Sequence, residues 1–427
     1  MTEPRDRAAR PLAGHVTQSM LGTVAARLSG ALGGVLAARL LEPSGRGRYG
    51  LLVVVATALG TAALAGLPFW VARQAGGPRA GEVAAVIGRH LRATTAVLGG
   101  LLAAALLAGQ VVALGSAAEL AAAALLAFAV TWSMLELAVP NGLLRMGAVA
   151  LITTANGMTF LLWMAVGLAA GARSPAFAVL GAAVANLAMV PLARRHRRAL
   201  PASAPGAGPV RAAHRRAVRF GLPLGGGELV TLASFRLDLL LVAAFVSPRE
   251  VGLYAVAVAL SELLLVVPDA VALVLLPHAA RHPGRTGTAR LVAAASAATA
   301  AAGAGLLWVA GPVVTTVFGP AYSDSAEVLP ALLVGAVARG AWKMIGAAAV
   351  ARGDRRSRPA SALVGLVAMV AADLFLVPAY GIAGAAAGSA IGSVLAAAHL
   401  ARSAGRSARP VAEQPPRPAP APAPVAA

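Results

Sequence analysis

The chain has 427 residues, of which 59% are hydrophobic and only 12% charged, and its formal net charge is +20. A soluble domain carries about 25% charged residues, so an apolar excess of this size excludes a soluble globular protein and points to a polytopic membrane protein. The lack of cysteine excludes disulfides, thiolate metal sites and a thiol nucleophile, and seven scattered histidines without HExxH spacing give a metal centre no support.

Residues 1–16 are polar, with Arg5, Arg7 and Arg10 ahead of an apolar run from about 18 to 41. That run is too long for a signal peptide and many others follow it, so it reads as an uncleaved first span. Further spans are expected near 49–70, 93–114, 119–140, 148–170 and 175–192, each close to the roughly 20 residues that cross a hydrocarbon core. Residues 193–216, ARRHRRALPASAPGAGPVRAAHRR, are basic at both ends and rich in Pro, Ala and Gly between, the composition of a linker. Six more spans are expected near 220–246, 251–275, 291–317, 326–348, 360–378 and 381–401. The Pro/Ala-rich tail from Arg402 is expected to be disordered. The fold expected is therefore all-α: a six-helix lobe at 1–192, a linker at 193–216, a second six-helix lobe at 217–401 and a tail at 402–427.

Basic residues test this count. With the segments between spans numbered alternately, the set that contains both termini and the linker holds 27 of the 36 Lys and Arg residues, and the opposite set holds Arg46, Arg48, Arg173 and Arg249. A missed span in the middle would scramble this split. The positive-inside rule then places both termini in the cytoplasm of a cell membrane and explains the net charge without nucleic acid. The loops on the outer side, near 42–48, 115–118, 171–174, 247–250, 318–325 and 379–380, are too short to hold an elaborate catalytic site.

The two halves echo one another. Pro43, Gly47 and Tyr49 precede Pro248, Gly252 and Tyr254 by 205 positions, and Pro175, Phe177 and Gly181 precede Pro378, Tyr380 and Gly384 by 203. Six spans per half is an even number, so the halves have the same orientation and are related by an axis along the membrane normal. A substrate would pass between them by alternating access.

Ionisable residues within spans are expensive and mark candidate function. Arg27 lies in span 1. Span 7 carries Glu228, Arg236 and Asp238; at 100° per residue, Glu228, Thr231, Ser234 and Asp238 fall in a polar stripe about 120° wide, with Arg236 outside it. Span 8 carries Glu262 and Asp269 near one face, each suited either to pair with an arginine or to carry a coupling proton. Span 10 stacks Arg339 and Lys343 at i and i+4, where they repel unless an anion or a carboxylate lies between them. Each has a structural alternative in ion pairing or in snorkelling to the interface. Asn156, Asn186 and Asp373 are weaker candidates. LPLGGG at 222–227 is either a broken helix or a helix start after a turn.

RLDLLLVAAFVSPREVGLYAVAVALSELLLVVPDAVALVLLPHAAR, Arg236 to Arg281, resembles the polysaccharide flippases of the multidrug/oligosaccharidyl-lipid/polysaccharide exporter superfamily, the Wzx-like branch. Its Arg-x-Asp, the Gly-x-Tyr after a short loop and Pro277 carry the resemblance, with RLLEPSGRGRYG at 39–50 and PAYGIAGAAAGSAIG at 378–392 similar to the family's first outer loop and last span. The resemblance implies two helical lobes that move an undecaprenyl-pyrophosphate-linked oligosaccharide to the outer leaflet, with Arg27, Arg236 and Arg339 meeting the pyrophosphate and sugar acids. The implied partners are that lipid-linked sugar, membrane lipids, and the glycosyltransferases and polymerase of the same pathway; no cofactor is implied. Proton, sodium or membrane potential remain open as energy sources, since the chain has no GxxxxGK[ST] nucleotide site. A multidrug or cation exporter of the same superfamily is the first alternative, but it would favour an acidic, aromatic cavity, whereas this chain has arginines in its spans and 4% aromatics. A membrane-embedded polysaccharide polymerase or ligase is the second, and short outer loops disfavour it.

Overall fold

The computed structural model describes residues 6–107, 116–201, 209–281, 287–351, 354 and 356–407. In chain order the helices are α1 (Asp6–Leu64), α2 (Leu67–Ala75), α3 (Ala80–Leu107), α4 (Ala117–Gly142), α5 (Met146–Ala169), α6 (Pro175–Arg198), α7 (Val210–Phe245), α8 (Pro248–Leu263), α9 (Val266–Arg281), α10 (Gly287–Val313), α11 (Leu329–Ala351) and α12 (Ser357–Ser407). Among the described residues there is no strand, as expected where lipid cannot satisfy backbone polar groups.

Seven of these helices are long and apolar enough to cross a bilayer, and α8 with α9, bent by 45°, forms an eighth crossing. Two of the seven, α1 and α12, are each interrupted, at Glu42 (φ 58°, ψ 172°) and at Gly381 (φ 57°, ψ −135°), and each supplies two crossings. Pro43 bars Glu42 from helical geometry, which is why one residue suffices to turn the chain. With α3 and α7, whose 28 and 36 residues are long enough for two more, the described helices have the length for the twelve expected crossings. They form two six-helix lobes, α1–α6 and α7–α12.

Both basic stretches are more helical than composition suggested. The linker's arginines extend α6 to Arg198, where cations suit the helix C-terminus, and α7 begins at Val210. Arg194 and Arg197 reach back to a fully buried Glu136 on α4, at 3.3 Å and 3.0 Å. Likewise α12 runs on to Ser407, into the stretch expected to be disordered. Residues 202–208 of the linker and 408–427 of the tail lie outside the described residues.

LPLGGG also differs from expectation, since α7 continues through Pro223 and all three glycines. Of these glycines Gly225 alone serves a close approach, together with Gly221 just before the motif, while Gly226 and Gly227 have open space around them. A Cβ at Gly221 or Gly225 would stand 2.6 Å from backbone atoms of Gly66, the left-handed residue (φ 68°) between α1 and α2.

The repeat detected at an offset of 205 is a contact in space. A Cβ on Gly47 would lie 2.1 Å from the carbonyl oxygen of Pro248, and one on Gly252 would lie 1.8 Å from that of Pro43. Each repeat thus touches its counterpart with the same residues, as an approximate two-fold axis requires. The same short-loop end of the bundle carries two further ties between lobes. Tyr322 donates to the Ala38 carbonyl at 2.8 Å, and Arg39 donates to the carbonyls of Thr316 and Val317 at 2.5 Å and 2.7 Å. Those two carbonyls belong to a single π turn, Val314–Phe318, whose wider winding displaces them from regular helical bonding.

At the opposite, linker end, α7 docks on the first lobe through His214. His90 must donate from Nε2 to the Ala63 carbonyl (2.7 Å), so its Nδ1 accepts from His214 Nε2 at 3.1 Å. Arg216 pairs with Glu82 beside them at 3.1 Å. Burial lowers the pKa of both histidines; for His214 the charges of His90 and Arg89 add to it, and for His90 the Ala63 bond opposes it. With folded values below the free value of about 6.5, this contact is complete above that pH and is lost as pH falls through the depressed values. Backbone amides of residues 210–221 are expected to exchange faster at pH 5.5 than at pH 7.5 beyond the intrinsic change, and equal protection at the two pH values would remove the histidine pair as a latch.

Candidate functional site

Two cavities meet between the lobes. One, of about 640 Å³, is walled by the first lobe, including Arg27, Tyr49, Asn156 and Asn186, and closed by Arg236 of the second. The other, of about 270 Å³, is walled by the second lobe, including Phe235, Arg236, Glu262, Arg339 and Lys343, and closed by Arg27 of the first. Arg27 and Arg236 line both, so the two spaces adjoin at a cationic waist and together make a candidate passage.

The bend between α8 and α9 arranges the carboxylates. Pro268 cannot continue the backbone ladder, and its ring packs directly on Gly340 of α11. On one side of the bend Glu262 meets Arg236 at 3.2 Å. On the other, Asp269 takes Lys343 at 2.8 Å and also pairs with Arg27 across the lobe boundary. The stacking of Arg339 and Lys343 is thereby resolved as charge balance demands, with Asp269 neutralising Lys343. Among the described residues no carboxylate lies within ion-pair distance of Arg339: it stacks over the Phe235 ring with its guanidinium carbon 5.2 Å from the centroid, reaches Ser389 at 3.4 Å, and leaves Nε buried without a partner. These pairs are not sealed, for the side chains of Arg27 and Arg236 remain 36% and 42% exposed. An ion pair that still faces open space is exchangeable, because an incoming anion can replace its carboxylate.

Two of the expected path residues stand elsewhere. Glu228 is exposed on α7 and lines neither cavity. Asp238, expected along the path, is instead sealed in the core, where it accepts from Tyr254 Oη at 2.8 Å and from the Leu239 amide at 2.8 Å. Ser234 and Asp238 of the polar stripe turn inward to their own lobe, with Ser234 donating to the Ala362 carbonyl of α12 at 3.1 Å; Arg236, off the stripe, is the residue that faces the passage. Asp238→Ala strands the buried Tyr254 hydroxyl and is expected to cost about 1–3 kcal/mol, read as a lowered melting temperature in detergent; an unchanged melt would show that the hydroxyl finds another acceptor.

Some features had no sequence signal strong enough to rank them. Asn156 and Asn186, weaker candidates by sequence, line the larger cavity, and Asn186 also accepts from Ser133 at 3.1 Å. Asp373 on α12 is fully buried with both carboxylate oxygens unpartnered, an arrangement in which a bare charge needs a counter-ion. Glu136, Trp132 and Arg194 form a structural cluster at the linker end, the guanidinium 4.7 Å from the indole centroid. Among the described residues no group of three or more acidic or histidine side chains is placed to hold a metal.

Comparison with known proteins follows this geometry. Residues 13–282 match the family described as polysaccharide biosynthesis protein. No curated protein sequence matches that of the chain. Several solved structures share its fold at low identity. The lipid II flippase MurJ in an inward closed conformation superposes with a TM-score of 0.74 at 12% identity, covering 91% of this chain and 87% of that one. A transporter of the MOP superfamily from Pyrococcus furiosus Vc1, described as having a binding pocket of reverse polarity, gives a TM-score of 0.60 at 18% identity, covering 92% and 94%. A multidrug resistance MATE family transporter in its inward-facing conformation gives 0.60 at 16%, with the same coverage. The matches support a transporter fold.

Proposed function

The chain belongs to the polysaccharide biosynthesis protein family, and we propose that within it the protein is a flippase that carries a polyprenyl-pyrophosphate-linked oligosaccharide from the cytoplasmic to the outer leaflet. The observation that carries this reading is the charge of the passage. Arg27, Arg236, Arg339 and Lys343 stand against Glu262 and Asp269, four cations to two carboxylates. The lining is thus net positive even with the carboxylate of Asp238 buried behind Arg236 and Arg339, the sign that a pyrophosphate diester with two negative charges requires. A cation exporter needs the opposite sign, which leaves that alternative without support in this cavity.

Binding and reorientation then follow from the same pairs. The pyrophosphate takes the places of Asp269 and Glu262 on Arg27 and Arg236, where a bidentate guanidinium contact is stronger than a single neutral hydrogen bond. Since Arg27 and Asp269 belong to different lobes, the exchange removes a tie between them and favours a second arrangement of the lobes. With both termini in the cytoplasm, the joined short-loop end is the outer one, and the protein stands closed to the outside. Glu262, released from Arg236, is the candidate for taking up a coupling proton, whereas Asp269, released from Arg27, keeps Lys343 at 2.8 Å.

The test is reconstitution in vesicles with a fluorescent polyprenyl-pyrophosphate sugar, following its protection from an impermeant quencher. Transfer that needs this protein, and that polyprenyl-pyrophosphate sugars of other composition inhibit, is the expected result. Efflux of organic cations with no movement of the lipid-linked sugar would return the exporter alternative.

A further inference from the structure

A third cavity, of about 850 Å³, opens on the outer flank of the bundle, between the second half of α1, α3 and α4 of one lobe and α7 of the other. Its wall is apolar, with Leu51, Val55, Leu101 and Leu240 among the lining side chains, and among the described residues its polar lining is Ser44 and Arg48 at the short-loop end. Arg48 is under-used there. Its side chain is 51% exposed and stands 3.6 Å from Glu119, beyond hydrogen-bond distance, while Glu119 is engaged as the cap of α4, accepting from the Ser116 amide at 2.8 Å. A guanidinium has five donors, and among the described residues none of those of Arg48 makes a hydrogen bond.

The groove adjoins the passage. Leu240 lies one turn beyond Arg236 on α7, and along the second half of α1 the passage residues Tyr49 and Val53 alternate with the groove residues Leu51 and Val55. The seam between the two spaces is apolar and tight, closed by Val54, Leu239 and Val242, with Gly50 against Leu239. A long apolar groove with one cation at its mouth suits a single hydrocarbon chain that ends in a phosphate. Because its walls come from both lobes, its shape changes when the lobes move, as a site on the transport route must and a site for bulk lipid need not.

We infer that this groove holds the polyprenyl chain of the carrier lipid on the short-loop side, with Arg48 meeting its phosphate end. The inference rests on the flippase reading, which supplies the lipid carrier. The seam beside Gly50 is then the route by which headgroup and chain part from the passage.

The test uses the full chain in nanodiscs of phosphatidylcholine, with a photoactivatable polyprenyl monophosphate as probe. Crosslinks are expected on the α3 and α7 walls of the groove. Ala243→Trp, which fills it, is expected to abolish them, and Arg48→Gln to weaken probe affinity about tenfold. Should Ala243→Trp fail to fold, Leu101→Trp obstructs the same space from α3. Phosphatidylglycerol at equal concentration is expected not to compete; full competition would make the groove a site for anionic phospholipid and overturn the proposal, as would labelling indifferent to all three substitutions. The two readings fail separately. Arg236→Ala is expected to keep groove labelling while transport falls, so labelling without any transport in the unaltered protein counts against the flippase alone, and transport that survives Ala243→Trp with unchanged labelling counts against the groove alone.

Discussion

Arg236→Ala is expected to lower the rate of lipid-linked sugar transfer by about 10- to 100-fold, with the protein inserted and folded as before. The guanidinium lines both halves of the passage, and a hydrogen bond to a charged group is worth roughly 1.5–3 kcal/mol, against about 1.4 kcal/mol per tenfold in rate. The structural cost is smaller, because the Glu262 left behind is 30% exposed and retains access to the open cavity. Glu262→Gln separates the two roles. It removes the carboxylate that competes with the substrate for Arg236, and is expected to tighten binding of inorganic pyrophosphate even as Arg236→Ala weakens it. An undiminished transfer rate in Arg236→Ala at equal protein in the membrane would end the role given to this residue.

The second large effect is conformational. Gly252→Val is expected to force the short-loop ends of the lobes apart and to populate a form open at that end. The Cβ it introduces would stand 1.8 Å from the Pro43 carbonyl oxygen and 2.6 Å from the carbonyl carbon. Both are backbone atoms and cannot swing aside. The contact belongs to the arrangement described, so the penalty falls on that state. About 5.5 kcal/mol is enough to invert an equilibrium from 99:1 to 1:99. Gly47→Val, whose Cβ would stand 2.1 Å from the Pro248 oxygen, is expected to act in the same direction through the reciprocal contact. Since the chain has no cysteine, spin labels at Ser44→Cys and Arg249→Cys, both exposed, report the separation directly. A distance distribution unchanged by either valine would mean that the close approach plays no part in the closed state.

The parts of the passage were differently legible. Arg27, Arg236, Arg339 and Lys343 stand out in the sequence because a cation in a span is costly wherever it points, and each lines the passage. Asp238 stands out because an acid in a span is costly too, yet it lies in the core, since its acceptor role toward Tyr254 depends on how α7 is rotated against α8. Helical angles computed on α7 alone grouped Asp238 with Ser234 correctly, yet could not say whether that face or the face of Arg236 looks toward the first lobe. Asp373 and Phe235 drew little notice, since one buried acid or one aromatic in a span carries no distinctive pattern until its neighbours are known.

The sequence by itself determined the class of molecule, the all-α fold of membrane-crossing helices in two lobes, and the pairing of Pro43, Gly47 and Tyr49 with Pro248, Gly252 and Tyr254. These follow from a one-dimensional constraint: a fixed hydrocarbon thickness and the demand that each crossing satisfy its own backbone. The tertiary structure alone decided which charges share a partner. Arg27 and Asp269 are 242 positions apart in the chain, and whether they meet depends on the packing of two lobes around an axis and on the bend before Pro268, neither of which the local order of residues specifies.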